Sequence, residues 1–370
     1  MSRNPLRPWR RVRVFTVLLP LVLAAVVSCG TEPMSGNPLL AQRALPGANP
    51  PAPAPSGPGA TPAPLVIPSK ESFLLPKADY FGVSTLGSPQ ESETDLVASA
   101  AGHQPTILEY FVNWSQDFDP AVVRESYREG ALPLLTWEPD GGSKASNQPK
   151  YSLAKIIDGR YDSYITAFAQ GVAKQKWPIV LRFAQEMNGN WYPWSEQNSG
   201  NRPGDYVKAW RHVHDLFAAA GATNVIWLWS PNVLRGTDNA PVARYYPGFD
   251  YVDWVGVDAY GFGEKTASAV LDPTVTQIQK LTRKPLLLAE TGAKSGSQQA
   301  IWTADLFKWL QRHDQAIGFV WFEHDVDEGG LYDYRFTDSS KTEQAFRTGL
   351  SSLHLLPWPV DPAATTSPAP

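Results

Sequence analysis

Short apolar runs alternate with longer amphipathic stretches between residues 78 and 356. Runs at 80–84, 106–111, 132–137, 179–184, 224–229, 252–257, 285–289 and 317–321 have the length and composition of strands. The stretches 161–176, 203–220 and 298–312 carry apolar residues at helical spacing. Alternation of this kind implies parallel strands joined by helical crossovers. Eight such units fit an α/β fold of the (β/α)8 barrel type, which often takes about 250 residues. A doubly wound open sheet is the rival, but its glycine-rich nucleotide fingerprint is missing. The expected fold is therefore one barrel domain at 78–356.

The two ends of the chain read differently. Arg3, Arg7, Arg10, Arg11 and Arg13 precede an apolar stretch, 14–27, which is interrupted by Pro20 and short for a membrane span. The stretch runs into Ser28-Cys29-Gly30, and Cys29 is the only cysteine of the 370 residues. No disulfide within the chain is possible. The pattern resembles a bacterial lipoprotein signal at 1–29. That resemblance implies export, cleavage before Cys29 and membrane attachment through acyl chains on its thiol. Residues 30–77 interleave proline with Ala, Gly and Ser, a composition that cannot bury enough apolar surface to offset its ordering entropy. They are expected to be a tether, and 357–370 a tail of the same kind.

Formal net charge is −4 and no basic cluster follows the signal, so nucleic acid is not an expected partner. Solenoid repeats, phosphate loops and paired Cys/His ligand spacings are missing, and no metal or cofactor is expected. His212 and His214 are two apart in a helical stretch and so face different ways. A monomer is expected.

The stretch Leu181-Arg182-Phe183-Ala184-Gln185-Glu186-Met187-Asn188-Gly189-Asn190-Trp191-Tyr192-Pro193-Trp194 carries the chemistry. An apolar run stops at an amide and a carboxylate, then a turn, then aromatic rings. The seventh run also ends on a carboxylate and a glycine turn, Ala289-Glu290-Thr291-Gly292. A barrel gathers its reactive groups where strands end. Strands four and seven would thus deliver Glu186 and Glu290 to one rim. Paired carboxyl groups suit acetal cleavage, and aromatic rings suit the CH faces of sugars.

These residues resemble glycoside hydrolase family 26 over residues 79–350. The acid/base motif is similar to Glu186-Met187-Asn188-Gly189 and the nucleophile motif to Ala289-Glu290-Thr291-Gly292. The resemblance implies Glu186 as general acid/base, Glu290 as nucleophile, and net retention at the anomeric carbon. It implies a β-linked polysaccharide as partner, with β-1,4-mannan favoured over mixed-linkage β-1,3-1,4-glucan. The family usually has histidine where this chain has Gln185. A tethered glycan-binding protein without activity is a third reading, but both carboxylates are present.

Arg182 stands four residues before Glu186, hence on the same side of a strand. It needs a carboxylate partner if buried, with Glu290 or Asp258 the candidates. Tyr260 is placed to hydrogen-bond Glu290. Gln185, Trp137, Trp191, Trp194, Trp229, Tyr260 and Trp321 are the candidate sugar contacts. Glu138 and Glu323 are rival acids on the same rim.

Overall fold

The computed structural model describes residues 67–234 and 241–358. The expected signal with Cys29, most of the expected tether, and residues 359–370 lie outside the described residues. Eight parallel strands close into a barrel in chain order. They are β1 (Tyr80–Ser84), β2 (Ile107–Asn113), β3 (Leu132–Glu138), β4 (Ile179–Phe183), β5 (Val225–Trp229), β6 (Trp254–Gly261), β7 (Leu286–Ala293) and β8 (Ala316–Phe322). The helices are α1 (Glu71–Leu74), α2 (Glu91–Ala101), α3 (Pro120–Arg128), α4 (Leu153–Ile157), α5 (Asp162–Gln175), α6 (Asp205–Ala219), α7 (Ala267–Leu281), α8 (Gln299–Leu310) and α9 (Ser340–Leu350). Each expected strand and helix is found within a few residues of its place. Between β5 and β6 the described residues hold only short 3₁₀ turns, Val242–Tyr245 and Phe249–Tyr251.

Local chemistry sets several boundaries. Asp119 accepts the Ala121 N–H at 2.8 Å while Pro120 opens α3, a cap that leaves one fewer orphan donor. Barrel closure depends on Gly318, which pairs with Tyr80 across β8 and β1. Its φ is +131°, and a Cβ there would lie 2.1 Å from the Tyr80 carbonyl oxygen. Only glycine permits that approach.

Strand alternation decides what faces the barrel interior. On β3, Thr136 points inward, donating to Glu109 at 2.6 Å, so Trp137 points outward. There Trp137 packs on Phe168 of α5, with ring centroids 4.5 Å apart, and on Phe217 of α6. The same parity turns Trp229 outward against Tyr246, since its neighbour Ser230 bonds Asp258 inside. Trp321 also faces out, packed on Phe346 of α9. All three rings are fully buried. They fill the layer between barrel and helices and are not sugar contacts, which corrects the expectation for Trp137, Trp229 and Trp321.

The packed chain also starts earlier than the expected boundary at 78. Phe73 of α1 is fully buried, Tyr80 donates to its carbonyl, and Lys70 pairs with Asp253 at 3.0 Å. Apolar burial, rather than the falling proline content, marks where the domain begins. Trp358, expected in the tail, stacks on Phe73 and packs on Tyr127.

Trp137→Ala should cost about 3–5 kcal/mol of stability, since it empties a ring-lined site between β3 and two helices. Urea unfolding reads this directly. A wild-type midpoint would contradict the core placement.

Candidate active site

A cleft of about 1090 Å³ opens over the strand ends, and Glu186 and Glu290 both line it. Arg182 lies beneath them with no exposure to solvent. Its Nη1 donates to Glu290 Oε2 and to Glu109 Oε1, each at 3.0 Å, and its Nη2 to Asp258 Oδ2 at 2.5 Å. It therefore reaches both expected partners and a third, Glu109. Burial pushes the Glu109 carboxyl up to about 8, against the pull of Arg182. Burial raises Asp258 as well. Of the three acids on the guanidinium, Glu290 is the one that lines the cleft. Tyr260 donates its hydroxyl to the other oxygen, Glu290 Oε1.

Glu186 has different company. Asn232 Nδ2 donates to its Oε1 and Trp191 Nε1 to its Oε2 at 2.7 Å, both neutral donors. Burial first, then the charge of Glu290, push its carboxyl up to about 7. Of the two carboxyl groups on this cleft, Glu290 contacts a cation and Glu186 contacts only neutral donors.

The backbone around Glu186 is strained. Ala184 and Glu186 have φ of +48° and +52°, a left-handed conformation that costs a non-glycine residue roughly 1–3 kcal/mol. Surrounding bonds hold it. The Glu186 N–H donates to the Ser230 carbonyl at 2.8 Å. Asn188 clamps the Asn232 backbone from both sides, donating to its carbonyl at 2.8 Å and accepting its N–H at 2.9 Å. Asn188 so positions the residue that holds Glu186. Gly189 lies under the ring of Trp191, where a Cβ would come within 2.5 Å.

The remaining expected contacts divide. Trp191 and Tyr260 line the cleft, as do Tyr192, Phe262, Phe322, His324 and Tyr334. Trp194 does not. It is fully buried, stacks behind Tyr192 at 4.3 Å and donates to the Gln185 carbonyl at 2.6 Å. It supports the wall without forming it, which corrects that expectation. Gln185 is also inaccessible and does not line the cleft, its Nε2 donating from behind to Glu138 at 2.8 Å. Direct sugar contact by Gln185 is thereby corrected too. Of the rival acids, Glu138 lines the cleft, whereas Glu323 is tied to the Phe336 and Thr337 N–H groups and the Thr337 hydroxyl.

Sequence reasoning overlooked Glu109 and Asn232 as site residues, whereas Tyr192 belongs to the aromatic run it read as a sugar-facing wall. Glu109 had a signal, a charge in the middle of an apolar strand. Asn232 had none, since its role depends on the chain returning beside Glu186 after β5. Among the described residues, no group of three His, Cys, Asp or Glu side chains is placed to hold a metal.

The sequence profile described as "Glycosyl hydrolase family 26" matches residues 140–322. The chain is 29% identical over 277 residues to "Endoglucanase H" of Acetivibrio thermocellus, covering 71% of this chain and 29% of that protein. It is 26% identical over 204 residues to "Mannan endo-1,4-beta-mannosidase" of Bacillus subtilis, covering 46% of this chain and 54% of the relative. The chain thus spans less than two thirds of the length of either relative. A GH26 beta-mannanase structure from Bacteroides ovatus aligns with TM-score 0.58 at 20% identity, over 76% of this chain and 91% of that one. At that identity the likeness is one of fold. The profile match falls across β4 to β8, where both cleft carboxylates stand, so the part of the chain that carries the site is similar to glycosyl hydrolase family 26.

Proposed function

We propose that the protein is a retaining glycoside hydrolase that cuts the backbone of a β-linked polysaccharide, with β-1,4-mannan as substrate and endo action. The observation that carries this reading is the unequal pair on one cleft. Glu290 is paired with Arg182 and Tyr260, and Glu186 meets only neutral donors.

Chemistry follows from that inequality. Glu290 attacks the anomeric carbon while Glu186 gives its proton to the departing glycosidic oxygen. A covalent glycosyl ester on Glu290 results. The negative neighbour of Glu186 is then gone, so its ionised form is favoured and it can accept a proton from water. That water attacks the anomeric carbon, frees Glu290 and gives a product of unchanged configuration. Trp191 and Tyr192 offer their ring faces to the sugar, and Trp191 also holds Glu186. Mixed-linkage β-1,3-1,4-glucan is the second reading, favoured by the 71% of the chain that aligns with an endoglucanase.

We also infer that the mature protein is an exported lipoprotein anchored through Cys29. Its support is the sole cysteine standing where an arginine-headed apolar stretch ends. Cys29→Ala should abolish metabolic labelling with palmitate. Labelling that persists would end the lipoprotein reading.

Glu290→Ala should abolish turnover of every β-glycoside, whatever its leaving group. Glu186→Ala should lose most activity on polysaccharide yet form the intermediate normally from aryl glycosides with good leaving groups. Azide should then speed its turnover and give a β-glycosyl azide. An α-azide from Glu186→Ala would reverse the two assignments. In the wild type, kcat/KM on polysaccharide should fall as pH rises through about 7, because Glu186 must begin protonated.

A further inference from the structure

Glu138 is a cleft carboxylate to which the proposed mechanism gives no task. It ends β3 and lines the cleft beside Glu186, Tyr192 and Glu290. It therefore shares one cleft with both proposed catalytic carboxyl groups. One oxygen accepts the Gln185 amide at 2.8 Å, and no hydrogen bond among the described residues is given to the other.

Gln185 sets that arrangement from behind. It has no exposure to solvent, and its backbone carbonyl is pinned by Trp194 Nε1 at 2.6 Å. A buried amide fixed in this way restrains Glu138 without adding charge to a region that already holds several acids. A carboxylate held at one oxygen and open at the other is an acceptor for a hydroxyl group. Where water has been displaced, a sugar that lacks the matching hydroxyl leaves that charge unmet, and discrimination is strong.

We infer that Glu138 is a specificity-determining residue. It accepts a hydrogen bond from a ring hydroxyl of the sugar whose anomeric bond is cleaved, and Gln185 is its positioning residue. This rests on the hydrolase reading above. The residue at position 185 thereby reaches the substrate through Glu138 and not by its own contact.

The test pairs enzyme variants with substrates that lack one hydroxyl. Probes are 2,4-dinitrophenyl β-mannobioside and β-cellobioside, with analogues lacking the 2-, 3- or 6-hydroxyl on the ring that bears the leaving group. Glu138→Ala should lower kcat/KM on the better parent roughly 10- to 100-fold, the size of one hydrogen bond to a charged group. One deoxy analogue should cost the wild type a similar factor, yet cost Glu138→Ala less than about threefold more. Glu138→Gln, which keeps the shape and one acceptor, should lose less. Gln185→Ala should follow Glu138→Ala in direction, and the double variant should be no worse than Glu138→Ala alone. A purely structural role would lower all substrates alike, and that result would overturn the inference. So would an unchanged Glu138→Ala beside an active wild type, which leaves the hydrolase reading standing. If the wild type hydrolyses neither parent, the hydrolase reading falls and this inference with it.

Discussion

A guanidinium with no access to solvent stands inside the barrel, and three carboxyl groups close on it. Removing Arg182 from water is costly, and the hydrogen bonds it donates to Glu109, Asp258, Glu290 and the Thr136 hydroxyl offset that cost. The three acids come from β2, β6 and β7, while Arg182 itself belongs to β4. Four strands are therefore tied to one charge, and taking away a partner from such a pair typically costs about 3–5 kcal/mol. Site and scaffold share this interaction. The contacts that fix Arg182 also fix Glu290 at the cleft, and burial raises Glu109 and Asp258 so that the network is not an unrelieved cluster of negative charge.

Glu186 is held by another logic. Its carboxyl accepts from neutral donors, and its backbone sits in a left-handed conformation just past the end of β4. What keeps it there is a lattice of neutral donors, in which Asn188 clamps the Asn232 backbone and Asn232 holds the carboxylate. A neutral setting preserves the proton that acetal cleavage needs. Two adjacent acids thus have different surroundings, a cation and a phenol at Glu290 and neutral donors at Glu186.

Much of this was legible in the sequence because it follows from period and position. Apolar runs alternating with helical stretches imply a barrel, and a barrel puts residues that follow strands at one rim. That reasoning put Glu186 and Glu290 at one rim, and both line the cleft, while strand phase pointed to Arg182 beneath them. The tryptophans were misplaced by ignoring phase. Thr136 and Glu138 face one way on β3, so Trp137 must face the other, and the same parity removes Trp229 and Trp321 from the cleft. Gln185 and Trp194 could not be placed by phase, since they follow β4 where the chain leaves strand geometry. Contacts such as Asn232 with Glu186 join residues far apart in the chain and leave no local pattern.

The central claim is that Glu290, paired with Arg182 and Tyr260, forms a bond to the sugar. A 2-deoxy-2-fluoro β-glycosyl fluoride of the preferred disaccharide slows release of the intermediate and allows it to accumulate. Peptide mapping of the inactivated protein should find the sugar attached to Glu290 and nowhere else. Attachment to Glu186, Glu138 or any other residue, or steady turnover with no covalent adduct, would contradict the account.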